Sequence, residues 1–174
     1  MNATVLLIID AQVNMFKSEP VHDGENVLTK IKQLLDKARE SQIPIVFMQN
    51  QGGSGDPDEP GTLGWEIHPI LAPINGEVVF TKETPNSFYK TGLVKELKEQ
   101  GVEHLIIAGM QTEVCIDTAV RFAHGLGYSV TLVADGHSTF DGVITAAQAV
   151  EYHNDILGMF ATVKLVEQIH FGEK

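Results

Sequence analysis

The chain is short of cysteine, of basic residues and of long apolar runs, and each shortage closes off a class of function. One cysteine among 174 residues leaves no internal disulfide and no second thiol for a zinc knuckle. Cys115 is therefore a buried filler, a free thiol or a nucleophile. Basic side chains number 12 against 23 acidic ones, a formal net charge of −11, which disfavours a nucleic-acid backbone or an anionic membrane as partner. The opening MNATVLLIID has five consecutive strongly apolar residues before Asp10 and no basic flank. It predicts neither a signal peptide nor a membrane span, and the chain is expected in the cytoplasm. No G-x-G-x-x-G follows that first run, where the chain reads DAQVNM, so a dinucleotide reductase is disfavoured.

What is present is ordinary for a globular protein: 43% hydrophobic and 20% charged residues, with no low-complexity stretch. The length suits a single domain over residues 1–174. Six apolar runs rich in β-branched residues lie at 4–10, 44–50, 77–82, 104–110, 129–135 and 161–166. Several are nearly continuous, as strands buried on both faces are. Helical periodicity separates most of them. Val27, Leu28, Ile31, Leu34, Leu35 and Ala38 share one helix face, Ile116, Ala119, Val120 and Ala123 a second, and Ala146, Ala149, Val150, His153 and Leu157 a third. Thr91 and Gly101 bracket a shorter helix as N-cap and C′ residue. This alternation predicts a three-layer, Rossmann-like α/β fold, a parallel sheet with helices on both faces. The stretch from Gln51 to Leu71, rich at first in Gly, Pro and Asp, is expected to form a wall of the binding site.

Ligands of open parallel sheets bind outside the carboxyl ends of the strands. Asp10 ends the first predicted strand, Lys82 the third, and Cys115 follows the fourth. Singly these are a turn residue, a solvated charge and a core filler. Together they are a base, a cation and a thiol, the set that nucleophilic attack on a carbonyl requires. With Thr112 as N-cap, Cys115 is N3 of a helix, where the macrodipole favours a thiolate, and the Thr112 hydroxyl is expected on the backbone of Val114. Phe16, Trp65, Phe88 and His137 are candidate pocket walls, with Gln12 and Asn50 as polar contacts. His68 is expected to be a structural hydrogen bonder and His153 a partly buried helix residue.

The pieces IIDAQVNMF, KETPNSFYKT, AGMQTEVCIDTAVRFAHGLGY and LVADGHSTFD resemble, in order, those of the isochorismatase-like cysteine hydrolases, which include nicotinamidases, carbamoyl amidases and streptothricin hydrolases. The resemblance implies a six-stranded parallel sheet, a homodimer or larger homo-oligomer, and roles for Asp10 as general base, Lys82 as its charged partner and Cys115 as nucleophile. It also implies a cis bond between Met110 and Gln111, with the Gln111 and Cys115 backbone groups forming an oxyanion hole. Metal-binding nicotinamidases carry Asp-x-His after the second strand, where this chain reads MQNQGG. The expectation is therefore a small-molecule hydrolase with no metal and no cofactor. The thiol points to amide-type C–N chemistry through a thioester. A vinyl ether hydrolase is the nearest alternative, and a thiol redox or binding module the alternative from another class.

Overall fold

A computed structural model of the chain describes residues 3–171. Strands β1 (Ala3–Ile9), β2 (Ile45–Asn50), β3 (Val78–Lys82), β4 (Val102–Met110), β5 (Ser129–Ser138) and β6 (Thr162–Lys164) form one parallel sheet in the order β3-β2-β1-β4-β5-β6. The four α-helices are α1 (Gly24–Glu40), α2 (Leu93–Glu99), α3 (Asp117–Gly125) and α4 (Ala146–Ile156). The predicted strands and helices are all found, with shifts of a few residues at their ends. Thr91 stands one position outside the α2 N-cap, which is Gly92, although its hydroxyl still accepts from the Leu93 N–H at 3.4 Å.

The apolar pattern explains the layering. Residues of a strand alternate between faces, so Leu6 and Ile8 pack against the α1 residues Val27, Leu28, Ile31, Leu34 and Leu35. Val5, Leu7 and Ile9 face the other way, toward Leu93 and Leu97 of α2 and Ala119, Val120 and Ala123 of α3. All five of these β1 residues are fully buried. At roughly 1.5–3 kcal/mol for each large side chain removed from water, this strand anchors both halves of the core.

The strand order places a topological switch between β1 and β4. The chain builds outward from β1 through β2 to β3, then returns to β4 on the other side of β1. The connections at this point leave in opposite directions and open a crevice above the strand ends. A second irregularity shapes that crevice. While β4 advances two residues from Ile107 to Gly109, β5 advances five, from Leu132 to His137. The bulge re-aims the end of β5 and brings His137 beside Gly109. It also extends β5 past the sequence-predicted Asp135, so that His137 lies in a strand.

Gly109 is the residue this arrangement cannot replace. Its φ is +128°, and a Cβ there would lie 1.9 Å from the Ile9 carbonyl oxygen, a backbone atom with no freedom to move aside. Gly109→Ala is expected to destabilise the fold by on the order of 3 kcal/mol or more. Urea unfolding would measure the loss, and a variant within about 0.5 kcal/mol of the parent would contradict it.

Candidate active site

Three strand ends meet at the crevice. Asp10 follows β1, Lys82 ends β3, and Cys115 lies on the turn after β4. β2 separates β1 from β3, so the lysine has to reach across a strand, and its Cα is in register with that of Asn50 at the end of β2. The Lys82 Nζ lies 2.8 Å from Asp10 Oδ2 and donates to Asn50 Oδ1 and the Thr84 carbonyl, each at 3.2 Å. It also stands 3.4 Å from the Cys115 sulfur. An ammonium has three protons for these four acceptors, and the sulfur is the weakest and most distant of them. Lys82 is 2% exposed and Asp10 is 2% exposed, so the ion pair is isolated from water. Asp10 adopts φ +49°, a left-handed conformation that Asp tolerates better than most residues.

The second carboxylate oxygen is the informative atom. Asp10 Oδ1 is buried with no hydrogen-bond partner, an expensive state for a carboxylate oxygen. Burial raises the Asp10 pKa, with Lys82 and Cys115 acting against the shift. Burial, followed by the Asp10 charge, pushes the Cys115 thiol up to about 12. The thiol therefore keeps its proton at rest. This corrects the expectation of a thiolate: loss of water and the Asp10 charge keep the proton on sulfur.

The local structure gives a second reason for that correction. Thr112–Ile116 is a π-helical turn, not the start of an α-helix, and its N-cap residue is Gln111. The turn is closed by the Val114 and Ile116 N–H groups, which donate to the Gln111 carbonyl at 3.2 and 3.0 Å, and by the Asp117 N–H, which donates to Thr112 O. The peptide between Met110 and Gln111 is cis. The Thr112 hydroxyl does not cap the turn on Val114; it is bonded to His137 Nδ1 at 2.9 Å.

A cavity of about 950 Å3 opens onto this group, large enough for a small organic substrate. Asp10, Asn50, Gln111 and Cys115 line it, together with Asn14, Met15, Lys17 and Glu19 after β1 and Glu83, Thr84 and Pro85 after β3. The segment from Gln51 to Leu71 supplies Pro57, Asp58, Leu63 and Gly64 as wall. It is stitched to the chain after β1 by the Val13 and Asn14 N–H groups, which donate to Glu66 and Gly64 carbonyls. Asp58 accepts from Asn50 Nδ2 at 2.7 Å. The sequence offered no signal for Asp58 or Asn14, because nothing in loop spacing says which polar side chain turns inward.

Five sequence-predicted contacts lie off this wall. Gln12 is fully buried and ties β2 to the loop, bonding the Asn50 and Trp65 carbonyls through Nε2 and the Asn50 N–H through Oε1. Trp65 contributes that carbonyl, while its Nε1 is buried without a partner. Phe16 stands against His68 at 5.4 Å in a neighbouring hollow. Phe88 stacks on Phe122 within the core face. His68 serves as a structural acceptor for the Ile70 N–H, and His153, half-buried on α4, bonds the Ala149 carbonyl. Among the described residues, no group of three or more His, Cys, Asp or Glu side chains is placed to hold a metal ion.

His137, the fifth, backs the Thr112–Ile116 turn. Asn154 donates through Nδ2 to the Ala134 carbonyl at 3.1 Å, which turns its Oδ1 toward His137 Nε2 at 3.1 Å. The imidazole therefore carries its proton on Nε2, and Nδ1 accepts from the Thr112 hydroxyl. The ring is 1% exposed. Burial lowers its pKa from 6.5 to about 4, against a smaller opposing effect of the Asn154 bond. Between those two values the unfolded chain binds a proton that the folded chain refuses. This contribution to stability is thus intact above about pH 6.5 and is lost as the pH falls toward 4, amounting to on the order of 3 kcal/mol. Urea unfolding across that range should show a steeper acid loss for the parent than for His137→Gln; parallel profiles would contradict it.

Comparison with known proteins identifies the family. Residues 4–168 match the family model described as Isochorismatase domain. The chain is 33% identical to the isochorismatase family protein YddQ of Bacillus subtilis, over 94% of this chain and 97% of that one. It is 36% identical to a streptothricin hydrolase of Streptomyces noursei over 78% of this chain, but spans only 50% of that relative's length. The crystal structure of an isochorismatase from Pseudomonas putida superposes with a TM-score of 0.91 at 33% identity, covering 96% of this chain and 90% of that one. With the parallel sheet, the switch-point crevice and the family match all in agreement, the chain belongs to the isochorismatase-like hydrolase family.

Proposed function

We propose that this protein is a cysteine hydrolase that cleaves an amide-type C–N bond of a small molecule. The observation that carries this reading is the buried Asp10, with one oxygen held by Lys82 at 2.8 Å and the other unpartnered, in a cavity that also holds Cys115. A carboxylate so arranged is a base awaiting a proton.

In the proposed mechanism a substrate carbonyl lies against Cys115. Asp10 Oδ1 takes the thiol proton as the sulfur attacks, so a thiol with a pKa near 12 need not ionise beforehand. The Gln111 and Cys115 backbone N–H groups hold the oxyanion. The tetrahedral adduct collapses as the C–N bond breaks, and Asp10 returns its proton to the departing amine. Water, deprotonated by Asp10, then attacks the thioester, and the acid leaves as the sulfur regains its proton. Lys82 fixes the carboxylate throughout and steadies its charge when the proton departs.

Cys115→Ala should abolish turnover. Asp10→Asn should cost on the order of 10² to 10⁴ in rate, the usual worth of a positioned base. Because the folded Asp10 pKa is raised, activity should fall on the acid side at a pH above the ordinary carboxylate range and should not rise again through the ordinary thiol range. A folded Cys115→Ala protein retaining near-parental hydrolysis would instead favour vinyl ether hydrolysis, in which Asp10 protonates substrate and no thioester forms. Exhaustive chelation should leave the rate unchanged, and restoration by added metal after chelation would contradict a metal-independent reaction. We also propose a homo-oligomer, supported by the exposed Phe122 and Leu126 at 42% and 47%; sedimentation showing only monomers at micromolar concentration would contradict it.

A further inference from the structure

The cavity beside Cys115 has an uneven supply of charge and hydrogen-bonding groups. Its ionisable lining residues, apart from the thiol, are Asp10, Lys17, Glu19, Asp58 and Glu83. Asp10 is neutralised from below by Lys82, which leaves three carboxylates against the single ammonium of Lys17. Glu19, Glu83 and Lys17 are exposed, whereas Asp58 is 9% exposed. Among the described residues, none of these three carboxylates has a basic side chain within ion-pair distance. Asp58 has one strong partner, the Asn50 amide, whose opposite end is occupied by Lys82.

The unpartnered polar atoms point the same way. Two buried side-chain atoms on the cavity wall have no partner, Asp10 Oδ1 and Asn14 Oδ1, and both are acceptors. In the reading above Asp10 Oδ1 is given to the Cys115 thiol proton, so Asn14 Oδ1 and the Asp58 carboxylate are the acceptors left to a bound molecule. A molecule that fills this space is asked for donors. Carboxylate or phosphate groups would bring further acceptors to a wall already rich in them, inside a chain of net charge −11, and attraction and repulsion strengthen where water is displaced.

Resting on the acyl-transfer reading above, we propose that the site selects small amide-type substrates bearing a cationic or N–H-rich group, which Asp58 and Asn14 receive while the scissile carbonyl meets Cys115, and that it rejects anionic substrates. The cation lies beside the wall formed by the segment from Gln51 to Leu71, and the exposed Glu19 and Glu83 draw it in. Asp58 then acts on substrate binding, and touches the Asp10–Lys82 pair only through Asn50 and its charge.

The test uses the sole thiol as a reporter of charge in the cavity. Cys115 in the full chain is treated with three methanethiosulfonates: a trimethylammonioethyl reagent, a sulfonatoethyl reagent and the neutral methyl reagent. In each reaction the sulfur of the thiolate forms a disulfide with the reagent's sulfenyl sulfur and methanesulfinate departs. Rates followed by mass spectrometry are normalised to those of a free small thiol. The cationic reagent should outpace the anionic one by about tenfold or more. Asp58→Asn should shrink that ratio by roughly threefold, and Lys17→Ala should widen it. In parallel, matched amides carrying an ammonium, a neutral or a carboxylate substituent are assayed, with preference expected for the first. Equal rates, a faster anionic reagent or no labelling of Cys115 overturns the selection. A charge order that holds in labelling while no amide is hydrolysed leaves the selection standing and removes the amidase reading.

Discussion

The contact on which the site depends is the buried pair of Lys82 and Asp10. Two charges withdrawn from water are costly unless their remaining hydrogen-bonding capacity is met. Lys82 meets its own with Asn50, Thr84 and Asp10, and each of these partners is fixed in turn. Asn50 is held through its backbone by Gln12, and its amide spans Lys82 and Asp58. The loop wall is thus coupled to the ion pair through one asparagine. Of the atoms in this pair, Asp10 Oδ1 is left without a partner, and in the proposed reaction it is the atom that takes the thiol proton. A fully satisfied carboxylate would be a weaker base and a poorer acceptor of the thiol proton.

Bringing such a set together depends on the sheet's topology. Asp10 and Cys115 follow adjacent strands, β1 and β4, although 105 positions apart in number they share no local signal. Their approach requires β1 and β4 to pack without a side chain at Gly109, where Ile9 O would meet any Cβ. The same residue pairs with His137 across the bulge of β5, so one glycine lets the Cys115 turn, Asp10 and His137 share a small volume. The π-turn then sets Cys115 in contact with both Lys82 and Asp10, and the Thr112–His137–Asn154 chain of hydrogen bonds holds it from the side away from the cavity.

Environment overrode two electrostatic expectations. A thiol near the start of a helix ought to be acidified, yet Cys115 is pushed up to about 12 because it has lost its water and faces a carboxylate. A histidine in a polar sequence, DGHSTFD, ought to be available to a ligand, yet His137 is buried, and burial holds it neutral against the opposing effect of the Asn154 bond. In both cases sequence reports the residue type and its neighbours along the chain. Desolvation is set by residues that arrive from elsewhere.

The sequence by itself determined the layers and the cast of the site. Near-continuous β-branched runs can be stable only as strands covered on both faces, and period-3.6 apolar stripes supply the covers. That pattern puts strand termini on one edge and makes Asp10, Lys82 and Cys115 legible as a group. The polar walls were less legible: Asn50 was found, but Gln12, Phe16, Trp65, Phe88 and His137 turned out to be packing or tethering residues, while Asn14 and Asp58 went unseen. Tertiary structure alone decided which polar side chains face the cavity, which acceptors remain unpaired, and where protons rest. Those properties depend on distance and on the exclusion of water, and chain neighbours specify neither.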